Sequence, residues 1–424
     1  MQNDDPSIVA AVDRYDVILA GAGLIGSTLG IALASAGLKV ALVDRMTPAQ
    51  AADQGFDGRT TAIAYGSHLM LQQLGVWDAL ADGACAIVGI RVSDGPSLLH
   101  LHFNPADLGP APDGRIAPFG YIVENRLLRA ALHSRLQSLP NATLLAPDSV
   151  DDFQQDGAAA RVTLASGRRL SASLLVVAEG RLSSLREKLG VKLSRFDYTQ
   201  TAIVCCVVHE QPHNNLAQEK FLPAGPFAIL PMADDDQGRH RSSLVWTETK
   251  TVAPALLALD AERFARELQR RFGDHLGVVA PIGGRWSFPL SLQHADRYVV
   301  GRAVLAGDAA HAIHPIAGQG LNLGLRDAAA LAEIAVDAAR LGGDIGAADV
   351  LARYQAWRRF DIVTLQLATD ALNRLFSNDI APLRLVRDLG LGAVNRIPPL
   401  KKFFMRHAMG VLGDLPRLIK GEAL

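Results

Sequence analysis

The stretch YDVILAGAGLIGSTLGIALASAGLKVALVDR, Tyr15 to Arg45, decides the fold. Asp16 to Ala20 is a short apolar run of strand length. Gly21, Gly23 and Gly26 follow as G-x-G-x-x-G, and Leu24 to Ala36 repeats apolar residues at helical spacing up to Gly37. Lys39 to Val43 reads as a second strand, ended by Asp44. Gly21 permits a tight turn, Gly23 lets a pyrophosphate approach the backbone, and Gly26 lets the helix pack close to the strand. The helix N-terminus offers free N–H groups and partial positive charge to phosphates. Asp44, 18 residues beyond Gly26, can accept hydrogen bonds from ribose hydroxyls. The unit predicts a dinucleotide-binding α/β domain, and the motif alone does not separate FAD from NAD.

Composition sets the bounds around this unit. The 424 residues are enough for two or three domains at roughly 100–200 residues each. A 49% hydrophobic and 20% charged chain folds around a core. The net charge of −1 argues against a nucleic-acid binder. Cys85, Cys205 and Cys206 include a vicinal pair in the apolar run TAIVCCVV, which fits reduced, buried thiols in a cytosolic protein. The acidic start MQNDDPSIVAAVDRYD is not a secretory signal, so a cytoplasmic location is expected.

Further segments carry candidate contacts. In FDGRTTAIAYGSHLMLQQLGVW, Arg59 precedes a helix-like run from Thr61 to Leu74. In GYIVENRLLRAALHSRL, a strand at Tyr121 to Val123 leads to a helix from about Asn125. Arg126 lies in its first turn, where a cation is unfavourable without a nearby anion. In LLVVAEGRLSSLREKLG, the strand Leu174 to Val177 turns at Glu179-Gly180 into a helix start with Ser183 and Arg186. In RAVLAGDAAHAIHPIAGQGLNLGLRD, a strand ends near Ala306 and Asp308 follows it. Pro315 breaks the chain, and Gly318 and Gly320 open a helix running to Ala339. Ligands of open α/β sheets bind outside such carboxyl ends. His311 and His314 fall in this loop with no further ligand cluster, so no metal is expected and a loop-shaping role is.

From about residue 200 the chain alternates strands with one amphipathic helix, ALDAERFARELQRRFG, carrying Leu259, Phe264, Leu268 and Phe272. Phe221, Phe227, Ile229, Pro231 and Trp246 are candidate walls of an apolar pocket, although alternating apolar residues commonly form plain sheet core. Beyond about residue 345 the chain is helical. Residues 381–424 carry eight Lys/Arg against three Asp/Glu, with PPLKKFFMRHAMGVL mixing apolar and basic side chains. Such helices lie on anionic membranes, dock partners, or pack on their own domain.

GxGxxG, EGRLSSLR and GDAAHAIHPIAGQGLNLGLRD together resemble the FAD-dependent class A aromatic hydroxylases, and most closely their ubiquinone-biosynthesis hydroxylase branch. GPFAILPM, LVWT and FPL are similar to that branch's middle pattern. The resemblance implies an α/β fold: a Rossmann-like FAD-binding domain of the para-hydroxybenzoate-hydroxylase type, an inserted mixed β-sheet substrate domain and a C-terminal helical region. The FAD-binding parts would be 1–95, 121–198 and 291–345. The substrate domain would be 96–120 and 199–290, and the helical region 346–424.

By the same resemblance, Gly21, Gly23, Gly26, Asp44, Arg45, Arg59 and Arg126 would contact FAD, Asp44 at the adenosine ribose. Glu179 and Gly180 stand in the segment that bridges FAD and the pyridine nucleotide, with Glu in place of the family's Asp. Asp308 would bind the ribityl or phosphate region. Pro315, Gly318, Gln319, Gly320, Leu321 and Asn322 would lie against the flavin ring. The implied reaction is an NADH- or NADPH- and O2-dependent hydroxylation of a polyprenylated phenol through a flavin hydroperoxide. Phe221, Phe227, Ile229 and Trp246 are the pocket candidates. Membership of a multiprotein ubiquinone-making assembly and peripheral contact with the inner face of the membrane are further implications. A catalytically silent FAD-binding scaffold and a flavin-dependent prenyl reductase stay open as alternatives.

Overall fold

A computed structural model describes residues 12–53, 58–95, 100–111, 113–314, 318–376, 390 and 394–424. A six-stranded sheet forms the nucleotide-binding half. Its order is Val299–Val300, Ala303–Leu305, Leu174–Val177, Val17–Ala20, Val40–Val43 and Ala142–Leu145. All neighbours are parallel except the first pair. The central strands are buried along their whole length, which is why they read as unbroken Val/Ile/Leu runs rather than alternations. The helix Leu24–Ser35 packs on this sheet, and Gly320–Arg340 packs on that helix.

The second half is an eight-stranded mixed sheet. Its order is His311–Ala312, Val279–Ala295, Leu193–His209, His240–Thr249, Gly225–Met232, Leu216–Leu222, Gly89–Asp94 and His100–Phe103. Its borders differ from those expected. Gly89–Asp94 pairs here rather than ending the first FAD-binding part, because it runs parallel to Leu216–Leu222. The two 17-residue strands overrun 199 and 290, so they join the halves as continuous β-structure.

The run 61–74 is another difference. Thr60–Ala64 is a strand against Gly120–Glu124, and the helix occupies only Tyr65–Gln73. The β-branched, alternating TTAIA takes the sheet pairing available to it. The amphipathic helix Ala261–Phe272 buries Phe264, Leu268 and Phe272 on one face of the large sheet. Ala348–Phe376, Pro398–Ala408 and Arg417–Lys420 form the C-terminal helical layer. No helix among the described residues is long and apolar enough to cross a membrane.

Candidate functional site

The glycine motif sits where the sheet and the first helix meet. A methyl group at Gly26 would lie 1.9 Å from the Gly21 carbonyl oxygen, so this position tolerates no side chain. At Gly23 the same methyl meets nothing within 4 Å, because Gly23 faces a cleft. The Asp44 carboxylate accepts from the Ala22 N–H (2.7 Å) and the Met46 N–H (2.9 Å). It therefore ties the glycine loop to the end of the second strand while lining the cleft.

That cleft has a volume of about 710 Å³, within the range of cofactor sites. It runs from Asp44 and Arg45, past Glu179, Gly180 and Asp308, to Gly320 and Leu321. Gly320 begins the long helix, whose first turn carries no acidic side chain to compete for its N–H groups. Arg126 lines a smaller recess that shares Gly23 and Asp44 with the cleft, and its Nε donates to Glu124 at 2.6 Å. Gly21 and Gly26 shape the backbone, Gly23 leaves room, and two helix N-termini face the ends of the cleft. These residues fit FAD.

Several candidates are placed differently from the simplest expectation. Arg59 is exposed and outside the lining of the cleft. The Glu179 carboxylate accepts from Ser183 Oγ (2.7 Å) and the Leu185 N–H (3.1 Å), so it braces its own turn. Pro315 lies outside the described residues. Asn322 is a structural clamp: it accepts from the Ala64 N–H and donates to the Ala62 and Gly318 carbonyls. Sequence reading missed Arg181. It meets Asp308 at 3.2 Å, and its place in EGRLSSLR, directly after Gly180, was the signal that could have found it.

The two histidines diverge. His311 donates through Nε2 to Asp327 Oδ2 at 2.6 Å. His314 Nε2 lies 3.3 Å from Gln200 Oε1, and its ring meets Tyr198 edge-on. Burial pushes the His314 imidazole down to about 4, so it is neutral in ordinary buffers.

Asp327 is fully buried and also accepts from the Gly307 N–H (2.9 Å) and Arg358 Nε (2.8 Å). Burial alone would raise its pKa, but His311 and Arg358 outweigh it and hold the carboxyl below its ordinary range. Arg358 passes the chain on to Asp361, which Arg326 also meets. This ionic core underpins the turn that carries Asp308.

A second cavity of about 300 Å³ lies under the large sheet. It shares Thr61, Arg181, Ile313, Gly320 and Leu321 with the first, so the two meet at the long helix's N-terminus. Of the pocket candidates, Phe227, Ile229 and Trp246 lie on the opposite face, in the core beneath the helix Ala261–Phe272. Strand alternation puts Ala228, Leu230, Val245 and Thr247 on the pocket side instead. Phe221 is on the pocket side but one layer back, stacked on Phe376.

The comparisons agree with this arrangement. A family model described as an FAD binding domain matches residues 14–360. The chain is 51% identical over 429 residues to the ubiquinone hydroxylase UbiL of Rhodospirillum rubrum, covering 99% of this chain and 97% of that protein. It is 33% identical to the 3-demethoxyubiquinol 3-hydroxylase of Escherichia coli K12, covering 93% and 98%. In fold it matches the crystal structure of the p-nitrophenol 4-monooxygenase PnpA of Pseudomonas putida, with a TM-score of 0.76 at 18% identity, over 94% of this chain and 99% of that one. The chain belongs to the FAD-dependent ubiquinone-hydroxylase family of monooxygenases.

Proposed function

We propose that this chain hydroxylates the aromatic ring of a polyprenylated phenol in ubiquinone synthesis, using FAD, NADH or NADPH, and O2. One oxygen atom enters the ring and the other leaves as water, with the nicotinamide supplying two electrons. One observation carries the reading. A nucleotide cleft and an apolar pocket meet at a helix N-terminus, sharing five lining residues. When bound, FAD supplies the electron transfer and the activation of O2.

The chain's own residues bind, orient and exclude water. Gly21, Gly23, Gly26, Asp44, Arg45 and Arg126 would hold the nucleotide end of FAD. Asp308, with Arg181, would hold its middle. Gly318, Gln319, Gly320 and Leu321 would hold the ring end, where the helix N–H groups would favour negative charge. Ile87, Ile90, Phe119, Leu230 and Val245 keep the pocket apolar and favour a prenylated ring.

The test uses purified, FAD-loaded protein, a farnesylated phenol and either nicotinamide. The expected result is nicotinamide oxidation that depends on the phenol and yields a product one oxygen heavier. Tight FAD with no turnover would favour the silent scaffold, and a saturated prenyl chain the reductase.

Membrane contact is a second part of the proposal. Ile397, Leu400, Phe403 and Phe404 are exposed beside Lys402 and Arg406 on and next to the helix Pro398–Ala408. This face suits an anionic lipid surface. Sedimentation with anionic vesicles should retain the protein, and retention should fall with added salt and with Phe403→Ala plus Phe404→Ala. Equal sedimentation with and without vesicles would remove this part.

A further inference from the structure

The apolar pocket contains two polar groups that the fold does not use. Most of its polar side chains are engaged. Thr60 donates to Ser243, Thr61 to Asn125, Gln218 meets His275, Asn322 clamps the backbone, and Arg181 pairs with Asp308. Glu219 and Thr247 are different. The Glu219 carboxylate has no hydrogen bond or ion pair among the described residues. Thr247 is 1% exposed, and its buried Oγ1 has no partner among them either.

Strand register sets both groups in the pocket. Glu219 lies between Val92 and Ala228, and Ala228 is followed across the sheet by Val245. Thr247 is two residues beyond Val245 on the same face. From strand spacing and rise, the Glu219 and Thr247 Cα atoms are about 12 Å apart. That is too far for the two to bond each other, and it leaves room for one ring between them. Unsatisfied polar groups on an otherwise apolar wall are costly, so their presence points to a ligand with oxygens.

We infer that Glu219 accepts the hydrogen bond, and then the proton, of the substrate's ring hydroxyl, while Thr247 Oγ1 donates to a second oxygen on that ring. The inference rests on the hydroxylase reading above and adds the residues that handle the phenol. In the step, the phenol O–H bond breaks and the proton passes to the carboxylate. The electron pair stays on the ring oxygen, which enriches the positions ortho and para to it for attack on an electrophilic oxygen.

Burial pushes the Glu219 carboxyl up to about 7, where a group both takes and releases a proton near neutrality. The charged groups around it are otherwise placed. Lys220 and Arg91 project from the opposite faces of their strands, and Lys220 donates to the Phe272 carbonyl. Asp94 is at the far end of its strand, opposite Phe221. From the C-terminal helices, Lys401 pairs with Asp107, Arg374 with Asp370, and His407 lies near Arg326 and Asp361.

The test compares wild type, Glu219→Gln, Glu219→Asp and Thr247→Val, all FAD-loaded, with a farnesylated methoxyphenol as the probe. Wild type should bind the probe more weakly as pH falls below about 7, losing up to tenfold per unit, and kcat/KM should show the same acid limb. Glu219→Gln should keep its FAD, lose the acid limb from both quantities and lose about 100-fold in kcat. Glu219→Asp should restore part of the rate and the limb. Thr247→Val should raise KM with little change in kcat.

An acid limb and rate unchanged in Glu219→Gln would overturn the inference and leave the hydroxylase reading standing. Binding with a Glu219-dependent acid limb but no hydroxylated product would overturn the hydroxylase reading and support Glu219 as the hydroxyl's partner. Failure of wild type to bind any farnesylated phenol would overturn both.

Discussion

Asp327→Ala lowers the thermal midpoint by roughly 3–6 °C and strips the protein of FAD, because it removes the anion at the centre of a buried ionic core. Asp327 is fully buried, and its two oxygens serve His311, Arg358 and the Gly307 N–H. Without it, the guanidinium of Arg358, 1% exposed, keeps Asp361 as its one remaining anion among the described residues. Leaving one member of a buried pair uncompensated costs about 3–5 kcal/mol.

The functional consequence is local. The freed Gly307 N–H and His311 no longer hold the turn on which Asp308 meets the nucleotide cleft. Asp327→Asn separates shape from charge: it keeps the volume and some hydrogen bonds, so its midpoint should fall between the two. Calorimetry and the flavin-to-protein absorbance ratio check both variants. A midpoint and flavin ratio matching wild type in Asp327→Ala would show that the ionic core supports neither stability nor the cofactor turn.

This core was invisible in the sequence for a physical reason. Asp327 and Arg358 stand on different long helices, and nothing in either helix's periodicity says which polar residue turns inward. His311 was legible only as a residue of a loop. The glycine unit, by contrast, was readable because its signals are local. Strand, turn, helix and terminal acid follow one another within 31 residues, and the structure places them side by side.

The pocket shows a limit of pattern reading of another kind. Both faces of the strands 225–232 and 240–249 are covered, one by the helix Ala261–Phe272 and one by the pocket. Alternation then identifies two sets of residues but not which set meets a ligand. Bulk was a misleading guide, since Phe227 and Trp246 fill the helix side and the smaller Ala228 and Val245 leave the cavity. Glu219 read as an ordinary polar strand residue in LAQEKFL. It gains meaning only once its neighbours prove apolar and the strand proves internal to the sheet.

Gly23→Val should leave the fold intact and abolish cofactor loading, whereas Gly26→Ala should damage the fold itself. The contrast follows from what surrounds each glycine. A side chain at Gly26 collides with the Gly21 carbonyl at 1.9 Å, and that oxygen belongs to a backbone fixed between two buried strands. Overlap of this depth forces helix and strand apart and costs at least about 1–3 kcal/mol.

A methyl group at Gly23 would meet nothing beyond the adjoining residues within 4 Å, and it would point into the cleft, so the apo fold should accommodate a branched side chain. The space it fills is the approach of a pyrophosphate to the helix N-terminus. Losing one or two charge-assisted backbone bonds, at about 1.5–3 kcal/mol each, weakens FAD binding by roughly 10- to 1,000-fold or more. Flavin content and apo-protein melting, measured on both variants, separate the two effects. Gly23→Val with a wild-type flavin ratio would mean that the pyrophosphate does not pass this glycine, and the cofactor's placement along the cleft would have to be redrawn.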